Sequence, residues 1–419
     1  MTSFTFATAG RIVFGAGSAA QLPQLVAEFG ERPFVVTGGN PGRHAALIGR
    51  LTGAATFPIP SEPTMELVRE AAAAARAHGA QVVVGLGGGA ALDAAKVVAA
   101  LVANGGDPLD YAEVVGRGLP LTERSLPVIA VPTTSGTGSE VTANGVVTST
   151  EHRVKVSLRS ASMLPAVALV DPELTLACPP SVTAHAGLDA LVQCIEPFVS
   201  PFATPLTDGF CREGIARAGR GLRQAYLDGS DQAARTDMSL CSLLSGLALA
   251  NGKLGAAHGL AGPLGGFLGA PHGAITAAVM VPVSRANIAA LTKEATLRQA
   301  QGSFGDGQGS FGEAQGSSGG GVRTTTIPEL VEGSSPDPDP LARYAEVGEL
   351  LTGERSAQAY LDWFAETATM LGIGGLATLG LTEADIPQLA EAAGRASSTK
   401  GNPVRLPLDA LEQVLREAM

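Results

Sequence analysis

The sequence predicts two domains of different class: an α/β domain built on a parallel sheet over residues 1–180, and an all-helical domain over residues 181–419. Three observations carry that prediction. Up to about Pro180, short runs that are apolar at every position alternate with Ala-rich helical stretches, the pattern of strands covered by helices on both faces. Beyond Pro180 the strand-like runs stop, and Ala/Leu patterns at helical spacing continue to the C-terminus. At 419 residues and 45% apolar, the chain is long enough to bury two separate cores.

Taken in order, GRIVFG (Gly10–Gly15) reads as the first strand, and AAQLPQLVAEFG follows with helix-spaced leucines. PFVVTGG is the next strand, ending in glycines. TMELVREAAAAARAHG is an amphipathic helix stopped by Gly79. QVVVGLGGG runs a strand straight into glycines, ALDAAKVVAALVANG is the helix after it, and LPVIAVPTT and VALVDPELT are two further strands. One segment belongs to neither domain. QGSFGDGQGSFGEAQGSSGGG (Gln301–Gly321), with its near-repeat of QGSFG, continues through a Pro- and Ser-rich stretch to Pro340. Its composition cannot bury enough apolar surface to offset chain entropy, so a disordered insertion is expected at about 301–340.

Composition excludes several function classes. The net charge is −11 with no block of Lys or Arg, which argues against nucleic acid and anionic membranes as partners. Apolar runs such as Ala274–Val283 are too short to span a bilayer, and the first residues lack the pattern of a signal peptide. Four cysteines without CxxC spacing read as buried thiols of a reducing compartment, giving a cytoplasmic expectation.

Chemistry concentrates in four stretches. In VVVGLGGGAALDAAK (Val82–Lys96) a strand feeds glycines that open a helix, an arrangement that suits a phosphate and also serves a plain tight turn. In VPTTSGTGSEVT (Val131–Thr142) a second strand ends in hydroxyl residues. Ligands of open parallel sheets bind beyond the strand C-terminal ends, so both loops would face one crevice. GLDALVQCIE (Gly187–Glu196) places Asp189 and Gln193 on one helix face. The stretch Asn251–Pro282 then holds His258 and His272, two of only six histidines. Two imidazoles and a carboxylate suit Zn²⁺ or Fe²⁺, and Gln193 could add an amide oxygen. His185, one turn before Asp189, either orients that carboxylate or simply packs.

The order and spacing of GRIVFGAG, GGGAALDAAK, PTTSGTGSEVT, GLDALVQCIE, AHGLAGPLGGFLGAPHG and SSTKGNP resemble the iron-containing, group III alcohol dehydrogenases. That family includes maleylacetate reductases and is more distantly related to glycerol dehydrogenases and dehydroquinate synthases. The resemblance runs nearly end to end apart from the insertion. It implies a Rossmann-like N-terminal domain, a helical C-terminal domain and an active site between them. It also implies NAD or NADP held by Gly87, Gly88, Gly89, Ala90, Thr133, Thr134, Thr137 and Lys155. The family's usual Ser after the glycines is Ala90 here. The implied metal ligands are Asp189, Gln193, His258 and His272, with Asp189, His258 and His272 as the catalytic set. Gln193 stands where the family has a His, and Gly262 where many members carry one more. A neutral amide is a weaker donor than imidazole, so the divalent metal (Fe²⁺ or Zn²⁺) is expected to bind loosely. The strand-end acid that would contact an adenosine ribose is replaced by Gly38 and Gly39, with Arg43 following. Loss of that carboxylate permits NADP, although Arg43 could equally be a solvated loop residue.

The reading that results is an NAD(P)-dependent oxidoreductase interconverting an alcohol and an aldehyde or ketone, with small-molecule substrates. Relatives of the implied family are commonly dimers or larger. A metal-independent, maleylacetate-type reductase is the alternative, and a non-catalytic NAD(P)-binding relative a third possibility.

Overall fold

Runs such as Val82–Gly87, apolar at every position, cannot leave either face in water, and they form the inner strands of a wholly parallel sheet. The computed structural model describes residues 3–113, 115–152, 154–305 and 339–419. In chain order the strands are β1 (Ile12–Phe14), β2 (Pro33–Gly38), β3 (Ala55–Ile59), β4 (Val82–Gly87), β5 (Val128–Pro132), β6 (Asn144–Ser149), β7 (Val154–Arg159) and β8 (Val167–Val170). Six of them make the main sheet in the order β1-β8-β5-β4-β2-β3, while β6 and β7 pair antiparallel as a separate hairpin. The N-terminal helices are α1 (Leu22–Ala27), α2 (Ala45–Ile48), α3 (Met65–His78), α4 (Gly89–Asn104) and α5 (Pro108–Tyr111). One core packs α3 and α4 on the sheet, and a second packs α1 on the opposite side.

Strand order explains where the cleft lies. From β2 the chain steps outward to β3, then returns to place β4 on the other side of β2. The ends of β2 and β4 therefore flank the reversal point at which open α/β sheets bind ligands. Three strands escape the sequence reading. β3 is an edge strand carrying Pro58, and β6 and β7 alternate buried and half-exposed residues as a hairpin clear of the main sheet.

The helical half comprises α6 (Pro180–Val199), α7 (Pro205–Leu227), α8 (Gln232–Gly252), α9 (Ala256–Leu268), α10 (His272–Gly305), α11 (Pro340–Thr352), α12 (Ala357–Met370), α13 (Ile386–Arg395) and α14 (Leu408–Glu417). From Gly187 to Val199 every residue of α6 is buried, which makes it the hub of this core. Helix α10 is long and apolar enough over His272–Arg298 to cross a membrane by length and composition alone, yet 61% of its most apolar stretch is buried inside the protein. It packs on α6 and α9 as a core helix does. Val141 and Val170 from the α/β half meet Leu243, Leu244 and Leu247 of α8, joining the two halves through a small apolar cluster. The insertion expected at about 301–340 lies, from 306 to 338, outside the described residues.

Candidate active site

At the reversal point the backbone ends of β2 and β4 come close enough that a Cβ on Gly87 would sit 3.1 Å from the Gly38 nitrogen. Helix α4 begins immediately beyond, and no side chain caps its first turn, so its free N–H groups face the cleft. The threonine loop closes over this end. Thr133 N–H donates to the Gly87 carbonyl (2.9 Å), and the Thr134 and Thr137 side chains pack against Gly88 and Gly89. A cleft of about 290 Å³ runs from Gly87, Gly88, Thr133 and Thr134 to Gly38, Gly39, Arg43 and His44. No carboxylate lines it among the described residues. Burial, helped by the Arg43 charge, holds the His44 pKa below the usual imidazole value.

Wholly buried Lys96 on α4 keeps the threonine loop in place. Its ammonium donates to Ser139 O (3.0 Å) and Thr142 Oγ1 (2.9 Å) and pairs with Asp93 (3.2 Å). Burial nonetheless lowers its pKa, with Asp93 opposing. Glu140 beside it is buried as well, and desolvation pushes its carboxyl up to about 7.

The same loop reaches the helical half, where Gly136 packs on Ala186 of α6. Next along that helix stands Asp189, 3% exposed. His258, in the first turn of α9, and His272, opening α10, each place Nε2 3.7 Å from Asp189 Oδ1. The ligand atoms of all three residues lie within 4.8 Å of one another. Three residues far apart in sequence thus converge on one point. His258 Nε2 is buried without a hydrogen-bond partner among the described residues, and an unpartnered ring nitrogen facing a carboxylate and a second imidazole suits a divalent cation. Helix α10 can approach so closely because residue 273 is glycine; a Cβ there would run into the His185 carbonyl.

Charges around the site are uneven. Burial disfavours the His258 cation, but the Glu196 and Asp189 carboxylates hold its pKa above the usual value. Burial lowers that of His272, with Asp189 opposing and with His258 and Lys155 adding to the shift. Lys155 on β7 pairs with Glu62 (3.3 Å), and β7 lies against α9, which carries His258.

Among the residues expected from sequence, Gly87, Gly88, Thr133 and Thr134 line one end of this cleft, Gly89 packs on Thr137, Ala90 follows in the first turn of α4, and Lys155 lies toward His272. Gln193 is buried beside Asp189, but its amide is turned: Nε2 donates to Asp189 Oδ2 (2.8 Å) and Oε1 accepts from Ser245 Oγ (2.9 Å). His185 makes no hydrogen bond to Asp189 among the described residues. Sequence reading missed Thr276, whose hydroxyl donates to Asp189 Oδ1 (2.8 Å), and Glu196, which holds His258 Nδ1 at 2.6 Å. Each carried a signal, since Thr276 lies four residues after His272 and Glu196 seven after Asp189, both at same-face helical spacing.

Residues 9–172 match the family model of iron-containing alcohol dehydrogenases, and residues 183–419 match the C-terminal model of the Fe-containing alcohol dehydrogenase family. The chain is 38% identical over 275 residues to 4-hydroxybutyrate dehydrogenase of Cupriavidus necator, covering 64% of this chain and 70% of that one. It is 43% identical over 219 residues to long-chain-alcohol dehydrogenase 1 of Geobacillus thermodenitrificans, covering 52% and 55%; the match thus spans about half of that relative's length. Among solved structures, 1,3-propanediol oxidoreductase superposes with a TM-score of 0.83 at 26% identity, covering 100% of both chains. Sulfoacetaldehyde reductase of Bifidobacterium kashiwanohense, solved in complex with NAD⁺, superposes with a TM-score of 0.80 at 26% identity, covering 100% of this chain and 99% of that one. With both halves matched, the chain belongs to the iron-containing alcohol dehydrogenase family, as an NAD(P)-dependent oxidoreductase of alcohols and aldehydes.

Proposed function

We propose that this protein reduces a small aldehyde or ketone, or oxidises the corresponding alcohol, in the cleft between its two halves, with Asp189, His258 and His272 holding a divalent Fe²⁺ or Zn²⁺. The buried, unpartnered Nε2 of His258 carries the reading. When bound, the ion supplies Lewis acidity to the substrate oxygen and NAD(P) supplies or accepts the hydride. The chain's own residues do the positioning. The first turn of α4 and Thr133, Thr134 and Thr137 bind the cofactor's phosphates and ribose, with Gly87, Gly88 and Gly89 admitting them to the backbone and Ala90 leaving out one hydroxyl contact. Lys155 serves the cofactor end near His272. Arg43, beside Gly38 and Gly39, meets the adenosine 2′ position, which favours NADP or dual use.

Thr276 and Gln193 fix the Asp189 carboxylate by one hydrogen bond to each oxygen. Gln193 completes the metal shell through its oxygen only after its amide rotates. Ser245 leaves room for that, because its hydroxyl also reaches the Ser242 carbonyl (2.8 Å) and can then accept from the rotated amide. A Cβ on Gly262 would meet nothing within 4 Å, so proton exchange there is left to solvent or to cofactor hydroxyls, and substrate has extra room. Cytoplasmic placement is supported by four free cysteines. A homodimer or larger assembly belongs to the same proposal, with exposed Phe202 and Leu206 around the start of α7 as candidate contacts. The test is a screen of aldehydes, ketones and oxoacids with metal-reconstituted protein, NADH and NADPH in parallel, followed by nicotinamide absorbance. Turnover of at least one carbonyl class is expected; cofactor binding with no hydride transfer across the panel would refute the assignment.

A further inference from the structure

Around the three convergent side chains, one buried acid has no role in the proposal above. Glu196 continues the stripe of Asp189 and Gln193 along α6 and is 3% exposed. A carboxylate buried this deeply needs partners for both oxygens, and it has them. Oε1 accepts the Ala257 backbone N–H (2.7 Å) and Oε2 lies 2.6 Å from His258 Nδ1. An ionised carboxylate only accepts, so the neutral imidazole carries its hydrogen on Nδ1 at this contact and Nε2 is left as a lone pair. Nε2 is the atom that lies 3.7 Å from Asp189 Oδ1 with no hydrogen-bond partner.

The backbone bearing His258 is fixed from the same side. Helix α9 follows Gly255, which offers no capping side chain. Its first N–H groups are met from elsewhere: Ala257 by Glu196, and Ala256 by Asn402 Oδ1 (3.1 Å). Asn402 is held in turn by Asn287 Oδ1 (2.6 Å) and the Val404 carbonyl (2.7 Å). This gives a physical purpose to Asn402 in the closing SSTKGNP motif.

We propose that Glu196 is the positioning residue of the metal centre: a single carboxylate sets both the tautomer and the rotation of His258, while Asn402 steadies the helix end that carries it. The inference rests on reading Asp189, His258 and His272 as metal ligands. Glu196→Gln is a discriminating change because an amide cannot accept on both sides. If its oxygen keeps the Ala257 N–H, its nitrogen donates to Nδ1 and forces the hydrogen onto Nε2, which removes the lone pair. If its oxygen keeps Nδ1–H, two donors meet at Ala257.

Two measurements on the full chain test this. In metal-free, ¹⁵N-histidine-labelled wild type, recorded where the rings are neutral and assigned against His258→Gln, two-bond ¹⁵N–¹H correlation should show His258 as the Nδ1–H tautomer. An Nε2–H tautomer overturns the proposal whether or not E196Q folds. In E196Q, Co²⁺ titration followed by ligand-field absorption should show binding weakened about ten- to a hundredfold, with NADPH affinity within about twofold of wild type. Equal Co²⁺ affinity overturns the role of Glu196. Failure of wild type to bind Co²⁺ overturns the metal reading, and this role with it.

Discussion

Replacing Gln193 by His probes one of the positions at which this chain departs from the family pattern. The variant removes two buried hydrogen bonds, Nε2 to Asp189 Oδ2 (2.8 Å) and Ser245 Oγ to Oε1 (2.9 Å). The first involves a carboxylate and is worth about 1.5–3 kcal/mol, the second about 0.5–1.5 kcal/mol. An imidazole restores one of them, so metal-free Q193H should be less stable than wild type by about 1–2 kcal/mol. Against this, the ring would bring a third imidazole nitrogen to a cluster of two imidazoles and one carboxylate. Metal binding should tighten by roughly tenfold or more, about 1.4 kcal/mol. Metal bound only by the folded state stabilises by about 2.7 kcal/mol at a hundredfold excess over Kd and about 4.1 kcal/mol at a thousandfold. The variant should therefore unfold earlier than wild type without metal, and recover or overtake it at saturating Zn²⁺. Competition against a chromophoric chelator gives the affinity, and denaturant unfolding with and without Zn²⁺ gives the crossover. Unchanged affinity, with the same metal response in both proteins, would show that residue 193 does not reach the ion.

Arg43→Ala should weaken NADPH binding by roughly ten- to a hundredfold, the worth of a charged hydrogen bond to phosphate, and leave NADH alone; parallel fluorescence titrations check this, and equal loss for both cofactors contradicts it. Gly273→Ala drives a Cβ into the His185 carbonyl and should cost about 1–3 kcal/mol by overpacking while also loosening metal binding, so an unaltered denaturation midpoint would count against the observed seating of α10. Glu140 carries a pH prediction. Its folded pKa of about 7 lies above the ordinary 4.5, so its contribution is fully present below the ordinary value and is lost as pH rises through about 7. The loss is on the order of 3 kcal/mol. Glu140→Gln should flatten that slope in denaturation series spanning the window, and an undiminished slope would assign it to other groups.

The parts of this molecule that were legible in the sequence are those where a local pattern forces one structure. Val82–Gly87, apolar throughout, admits only a strand buried on both faces, and Thr64 and Gly79 bracket α3 with a side-chain cap and a left-handed stop. The paired glycine and threonine loops were readable because each follows such a strand. His258 and His272 stood out because histidine is scarce. What stayed hidden depends on partners distant in sequence. The β6–β7 hairpin carries polar residues and packs away from the main sheet. Lys96 looks like an ordinary helix lysine until Ser139 and Thr142 surround it. Glu196 sits inside a stretch already notable for Asp189, yet its function depends on α9 arriving sixty-odd residues later. The turn of the Gln193 amide is likewise set by Ser245, a residue of another helix.

Everything proposed for the chemistry depends on an ion at Asp189, His258 and His272. Its most direct test is to strip the protein with chelator, add Fe²⁺ or Zn²⁺ back in measured increments, and follow NADPH-dependent reduction of a substrate identified by the screen. Activity should be negligible in the stripped protein and rise in proportion to added metal until each chain holds one ion. Undiminished turnover by protein shown to contain no metal would contradict the account and identify a metal-independent reductase instead.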